Sequence, residues 1–133
     1  MIGVLSGEVP VMFLPAINAG QHVATGKLRA LAVTSLQRLS SIPELPTMAE
    51  SGLPGYESSQ WYGLLAPTGT PAEILALLNS HVGKIMHSAE MRARMQDDGL
   101  VPVGGSREQF ARHIKTEIAK WAKVIQASGA RVD

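Results

Sequence analysis

Leu28, Ala30, Ala32 and Thr34 alternate with Arg29, Leu31 and Val33, so both faces of this stretch are apolar except at Arg29. A period of two with apolar residues on both sides predicts a strand covered by helices in a parallel sheet. Upstream, "EVPVMFL" is β-rich, and Pro10 suits a strand start or an edge. Between the two lies "PAINAGQHVATG", which reads as a helix with Pro15 near its first turn and Gly26 as its stop. Strand, helix, strand in this order predicts a βαβ unit with a right-handed crossover. Residues 36–60 then carry Pro43, Pro46, Pro54, Gly52 and Gly55 and read as loops.

Three short patterns read as capping boxes: "TMAE" from Thr47 to Glu50, "TPAE" from Thr70 to Glu73, and "SREQ" from Ser106 to Gln109. After Thr70, the residues Ile74, Leu75, Leu78, Val82, Ile85 and Met86 recur at helical spacing and predict one broad buried face. In the last helix, Phe110, Ile114, Ile118, Trp121 and Ile125 fall at i, i+4, i+8, i+11 and i+15, with Glu108 and Arg112 paired on the outer side. "EMRARMQDDG" reads as a helix stopped at Gly99, and "LVPVGG" as a short strand or link. "WYGLLAP" reads as a strand leading through Pro67, Thr68 and Gly69 into the helix after Thr70. Strand ends before helix N-termini are where open α/β sheets bind anions. The alternative is that the capping box satisfies those N–H donors internally.

Composition narrows the chemistry. The 133 residues, 45% hydrophobic and 17% charged, suit one folded domain. Twelve Lys and Arg against eleven Asp and Glu give a net charge of +1 with no basic stripe, so no nucleic-acid partner is expected. Absence of cysteine excludes disulfides, thiol nucleophiles and thiolate metal sites. The apolar N-terminus is broken by Glu8, Pro10 and Pro15 and lacks a basic leader region, so it reads as fold and not as a signal peptide. No run approaches the roughly 18 apolar residues of a membrane span.

"GQHVATGKL" fails as a phosphate loop, because five residues instead of four separate Gly20 from Gly26, and Leu28 stands where a magnesium-binding hydroxyl is needed. His22, His81, His87 and His113 show no metal-ligand spacing. There is no nucleophile elbow, Asp97 and Asp98 read as solvated, and Met86, Met91 and Met95 read as core fillers. No catalytic residue, metal or cofactor is expected, and an enzyme using His22 or His113 as base is the weakest reading.

"GEVPVMF", "GKLRALAVTS", "IPELPTMAESGLPGYE", "WYGLLAPTGTP", "VPVGGSREQF" and "IKTEIAKWAKVIQASG", in this order, resemble the tripartite tricarboxylate transporter substrate-binding proteins, the TctC or Bug family. The resemblance covers essentially the whole chain and corresponds to the C-terminal part of such a protein. It implies an α/β, periplasmic-binding-protein-like fold, a partial two-lobed arrangement with a short parallel or mixed sheet and flanking helices. Residues 1–57 would be the remainder of the second lobe, and 58–133 the C-terminal segment of the first. It further implies non-covalent binding of small mono- or dicarboxylates in an interlobe cleft. Phe13, Leu14, Pro15 and Ala16 would form one wall, and Trp61, Tyr62 and Gly63 the other. Membrane permease subunits would be the partners and the periplasm the location, or the cytoplasm if Met1 is a genuine start without a leader. The alternative is a homodimeric structural remnant that binds no ligand.

Overall fold

The computed structural model describes residues 1–131. Among them five helices form: α1 (Ile2–Leu5), α2 (Ala16–Ala24), α3 (Ala72–Met86), α4 (Ala89–Asp97) and α5 (Arg107–Ser128). They fall into two compact units, Met1–Tyr62 with Ser88–Pro102, and Gly63–His87 with Val103–Asp133. α4 thus packs with the first unit although α3, which precedes it in sequence, belongs to the second.

The first unit is organised around Thr47, which is 1% exposed. Its N–H donates to Glu50 Oε2 at 2.8 Å while the Glu50 N–H donates to Thr47 Oγ1 at 3.0 Å. This is the predicted reciprocal cap, closing a single turn in place of a full helix. Arg38 Nε donates to both Glu50 oxygens at 2.9 and 3.2 Å, and Arg38 Nη1 donates to the Pro43 carbonyl at 3.1 Å. On the backbone side, Val33 N–H donates to Pro46 O and Met48 N–H to Val33 O, both at 2.9 Å. These two bonds bracket Thr47 and make the parallel bridge between Val33 and Thr47. Ser51 Oγ adds a bond to the Thr47 carbonyl at 2.8 Å. A buried hydroxyl is tolerable only when satisfied, and here Oγ1 and both backbone groups of Thr47 have partners.

α2 ends as predicted: Thr25 N–H reaches back to Gln21 O, and Gly26 turns left-handed at φ 70°. α4 is capped by Ser88, whose Oγ accepts from Met91 N–H at 3.2 Å, and it stops at Gly99 with φ 69°. A Cβ on Gly99 would lie 2.9 Å from Ala16 Cβ, so the end of α4 rides on the first turn of α2 and only glycine fits there.

In the second unit α5 carries the complete capping box of Ser106 and Gln109 and closes on left-handed Gly129. The Glu108 carboxylate is held below its usual range, first by its own backbone N–H and next by Ser106, with Arg107 and Arg112 adding through-space attraction. Further along, Glu117 accepts from Trp121 Nε1 at 2.9 Å, and Lys120 stands over the Trp121 ring. Asn79 on α3 donates to Gly105 O at 3.1 Å, tying the link before α5 to α3.

Two expectations are corrected. Thr70 does not cap α3: its hydroxyl donates to Pro67 O at 2.8 Å, and the helix begins after Pro71 with no side-chain cap. The short 67–70 turn captures the hydroxyl before the helix can. The stretches 9–13, 28–34, 61–66 and 101–103 form no ladder among the described residues beyond the single Val33 bridge. Strand propensity is realised only against neighbouring strands. Likewise the periodic faces of α3 and α5 remain half-covered, because no apolar side chain among the described residues is fully buried.

Thr47→Val keeps shape and removes Oγ1, the acceptor for Glu50 N–H. At a cost of about 1–2 kcal/mol for a lost cap, amide exchange at Val33 and Met48 is expected to speed up roughly 5- to 30-fold; unchanged rates would show that the turn stands without Thr47. The Glu50 carboxyl sits below 4.5, held first by the Thr47 N–H and then by Arg38. Its folded value is the depressed one, so its contribution is complete above the unfolded value and is lost as pH falls through the folded value. Glu50→Gln should therefore flatten part of the acid limb of a pH–stability curve followed by circular dichroism, from about pH 5 downward.

Candidate functional site

The residues singled out in the sequence fall on two short stretches. Phe13 is 72% exposed and Leu14 half-buried on the irregular lead-in to α2, with Pro15 at its N-cap position (φ −56°, ψ 138°) and Ala16 as its first residue. Proline pre-sets the backbone for helix entry but brings no side-chain acceptor. Pro15 O accepts from Asn18 N–H at 2.9 Å and Ala19 N–H at 3.3 Å, while the first-turn N–H groups of Ala16 and Ile17 have no side-chain cap. The start of α2 thus presents backbone donors and the positive end of the helix dipole directly after an exposed aromatic ring.

Behind this turn, Ala16 lines an open depression of about 290 Å³ together with Gly20, Val23, Ile42, Glu44 and Asp97. Glu44, Asp97 and the adjoining Asp98 make that side acidic, so it repels a carboxylate.

The second stretch follows a bond that sequence reading missed. Ser58 N–H donates to Thr34 O at 2.9 Å, which ties Ser58 to the end of the apolar 28–34 run. Trp61 is 41% and Tyr62 78% exposed. Phe13 to Ala16 and Trp61 with Tyr62 belong to one unit, whereas Gly63 opens the other. Gly63 is set by packing. A Cβ there would run into Phe110 Cζ and lie 2.7 and 2.8 Å from Cε1 and Cε2, so the tip of the ring is seated against the bare Cα. The sequence signal for this was the lone glycine inside a strand pattern, which marks a close approach.

In the same unit α3 also starts uncapped on Pro71, with Glu73 in its first turn. The donors there are not closed off by the expected box, but Glu73 places a negative charge over them. Among the described residues no group of three or more His, Asp or Glu is placed to hold a metal ion, and no helix is long and apolar enough to cross a membrane.

With the geometry in place, comparison with known proteins is informative. The family described as "Tripartite tricarboxylate transporter family receptor" matches residues 1–130. "Protein BugT" of Bordetella pertussis is 35% identical over 130 residues, 98% of this chain and 39% of that protein. Two solved structures are alike in fold. One, "R. palustris Rpa4515 with adipate", is 38% identical with a TM-score of 0.78, covering 86% of this chain and 38% of that one. The other, "MatC (Rpa3494) from Rhodopseudomonas palustris with bound malate", is 35% identical with a TM-score of 0.68, covering 83% of this chain and 38% of that one. The chain therefore spans under two fifths of the length of each of these proteins.

Gly63→Ala tests the packing. Overfilling a closed contact costs typically about 1–3 kcal/mol, so the variant should melt earlier by circular dichroism. Gly63→Ala combined with Phe110→Leu should recover part of the loss. Equal stability of Gly63→Ala and the parent would remove Phe110 as the reason for the glycine.

Proposed function

Because the chain belongs to the tripartite tricarboxylate transporter receptor family, we propose that it serves non-covalent recognition of a small mono- or dicarboxylate for such a transporter. The observation that carries this reading is the likeness, over 83–86% of the chain, to structures described with adipate and with malate. The whole receptor's activity extends over more polypeptide than the two fifths spanned here, so the reading concerns what these residues contribute.

That contribution is one face of the ligand site. Phe13 supplies an apolar wall, the uncapped N–H groups of Ala16 and Ile17 supply donors, and Leu14 and Pro15 fix the turn that aims them. Backbone donors at a helix start bind a carboxylate without a paired arginine, and they do so reversibly. Trp61 and Tyr62 supply aromatic surface after the Ser58–Thr34 bond, and in the other unit Gly63 packs against Phe110. No bond is made or broken, so the reading includes no enzyme chemistry and needs no cofactor. In this reading the periplasm is the site of action and the permease subunits receive the acid. The alternative, a homodimer that binds nothing, draws on the exposure of Leu65 (75%) and Val103 (75%); light scattering that gives a strict monomer removes it.

Isothermal titration with adipate, malate, succinate and citrate is the test. Heat is expected with at least one acid, and Phe13→Ala should weaken it by roughly 10- to 100-fold, the worth of burying a phenyl ring. A cooperatively melting sample that gives no heat with any of the four acids would sink the carboxylate reading.

A further inference from the structure

Among the described residues three helices stop on a left-handed glycine: α2 at Gly26 (φ 70°), α4 at Gly99 (φ 69°) and α5 at Gly129 (φ 68°). At Gly26 and Gly129 an added Cβ would meet nothing within 4 Å, so the backbone conformation alone accounts for the residue. Gly99 meets a second demand. Its Cβ would stand 2.9 Å from Ala16 Cβ, and reaching the 3.4 Å of ordinary contact would part the two by about 0.5 Å. Gly99 is not free to give way. Its N–H donates to Gln96 O at 3.0 Å and the Leu100 N–H to Met95 O at 2.7 Å, the paired bonds that close a Schellman stop on its own helix. α2 has no comparable closure at its start. Pro15 brings no side-chain acceptor, so the direction of the Ala16 and Ile17 N–H groups is set by the turn itself and by what packs against Ala16.

We propose that Gly99 is a positioning residue for acid recognition at the start of α2: the closed stop of α4 seats Ala16 and so holds the Ala16 and Ile17 N–H donors in register for a carboxylate. The tolerance supports the assignment. Binding groups have to be held to within about 0.5 Å of their working geometry, which is the displacement that a Cβ at position 99 would impose. Gly99 touches no ligand in this scheme and acts through Ala16. The proposal rests on the carboxylate reading of this turn, whereas the seat is a packing contact that can be measured without any acid.

The molecule supplies its own control. Gly26→Ala brings the same left-handed strain as Gly99→Ala but no contact, so the full chain is compared with both, with Ala16→Gly, and with Gly99→Ala and Ala16→Gly combined. Amide proton and nitrogen shifts are read first without ligand, and titration with adipate and malate follows. Gly99→Ala should move the Ala16 and Ile17 signals and weaken acid binding by roughly tenfold, the scale of a misplaced binding group. In the background of Ala16→Gly the same substitution should cost almost nothing, because the clashing Cβ is gone. Gly26→Ala should lower the melting midpoint at unchanged affinity. Gly99→Asn, which tolerates the left-handed backbone better yet carries the same Cβ, should behave as Gly99→Ala does. Unmoved Ala16 and Ile17 signals, a loss that persists in the Ala16→Gly background, or an equal loss in Gly26→Ala overturns the proposal. No heat from the parent chain with either acid overturns the carboxylate reading and Gly99's part in it together, and the ligand-free shifts tell that outcome from failure of the seat.

Discussion

Thr47 holds the first unit together through hydrogen bonding and not through apolar burial. Its backbone is pinned between Val33 and Pro46–Met48, its hydroxyl caps the turn that Glu50 closes, and Arg38 carries that turn back to Pro43. A fully satisfied polar knot of this kind specifies geometry strongly, since any displaced partner leaves a buried group unpaired. The direction of the 28–34 run follows from it. The bond from Ser58 to Thr34 then aligns the approach to Trp61 with the same run.

The second unit relies on a different constraint, steric fit. Phe110 can lie over the chain only because position 63 has no side chain, and the Ser106 cap fixes where α5 starts and hence where Phe110 stands. The outer face of Gly63–Ala66 remains open, as do Ile118 and Val103. Shared apolar exposure of this extent is a property of interfaces.

For recognition of an acid, polarity matters more than pocket volume. The start of α2 has no side-chain cap, and the depression that Ala16 lines carries Glu44 and Asp97, so an anion is disfavoured in that depression. In the proposed reading, binding by backbone N–H groups also accounts for how little the sequence advertises: such donors belong to every residue type but proline, and no motif of charged side chains records them.

Local physics was legible in the sequence. Helices beginning at Ala16, Ala72, Ala89 and Arg107, the stops at Gly26 and Gly99, and the reciprocal caps at Thr47 and Ser106 all follow from interactions spanning three or four residues. Family membership was legible too, through the block from Ile42 to Glu57 and the stretch after Trp61. Tertiary structure alone decided what depends on distant partners. It set Phe110 on Gly63 and brought α4 back to Ala16, whereas the Thr70 hydroxyl was captured locally, by Pro67 three residues back. Among the described residues it also left the strand-like runs without a ladder beyond the Val33–Thr47 bridge. Period-two alternation records which faces a strand covers, but not whether a neighbour is there to pair with it, because backbone pairing is set by the other strand's position and not by its own side chains.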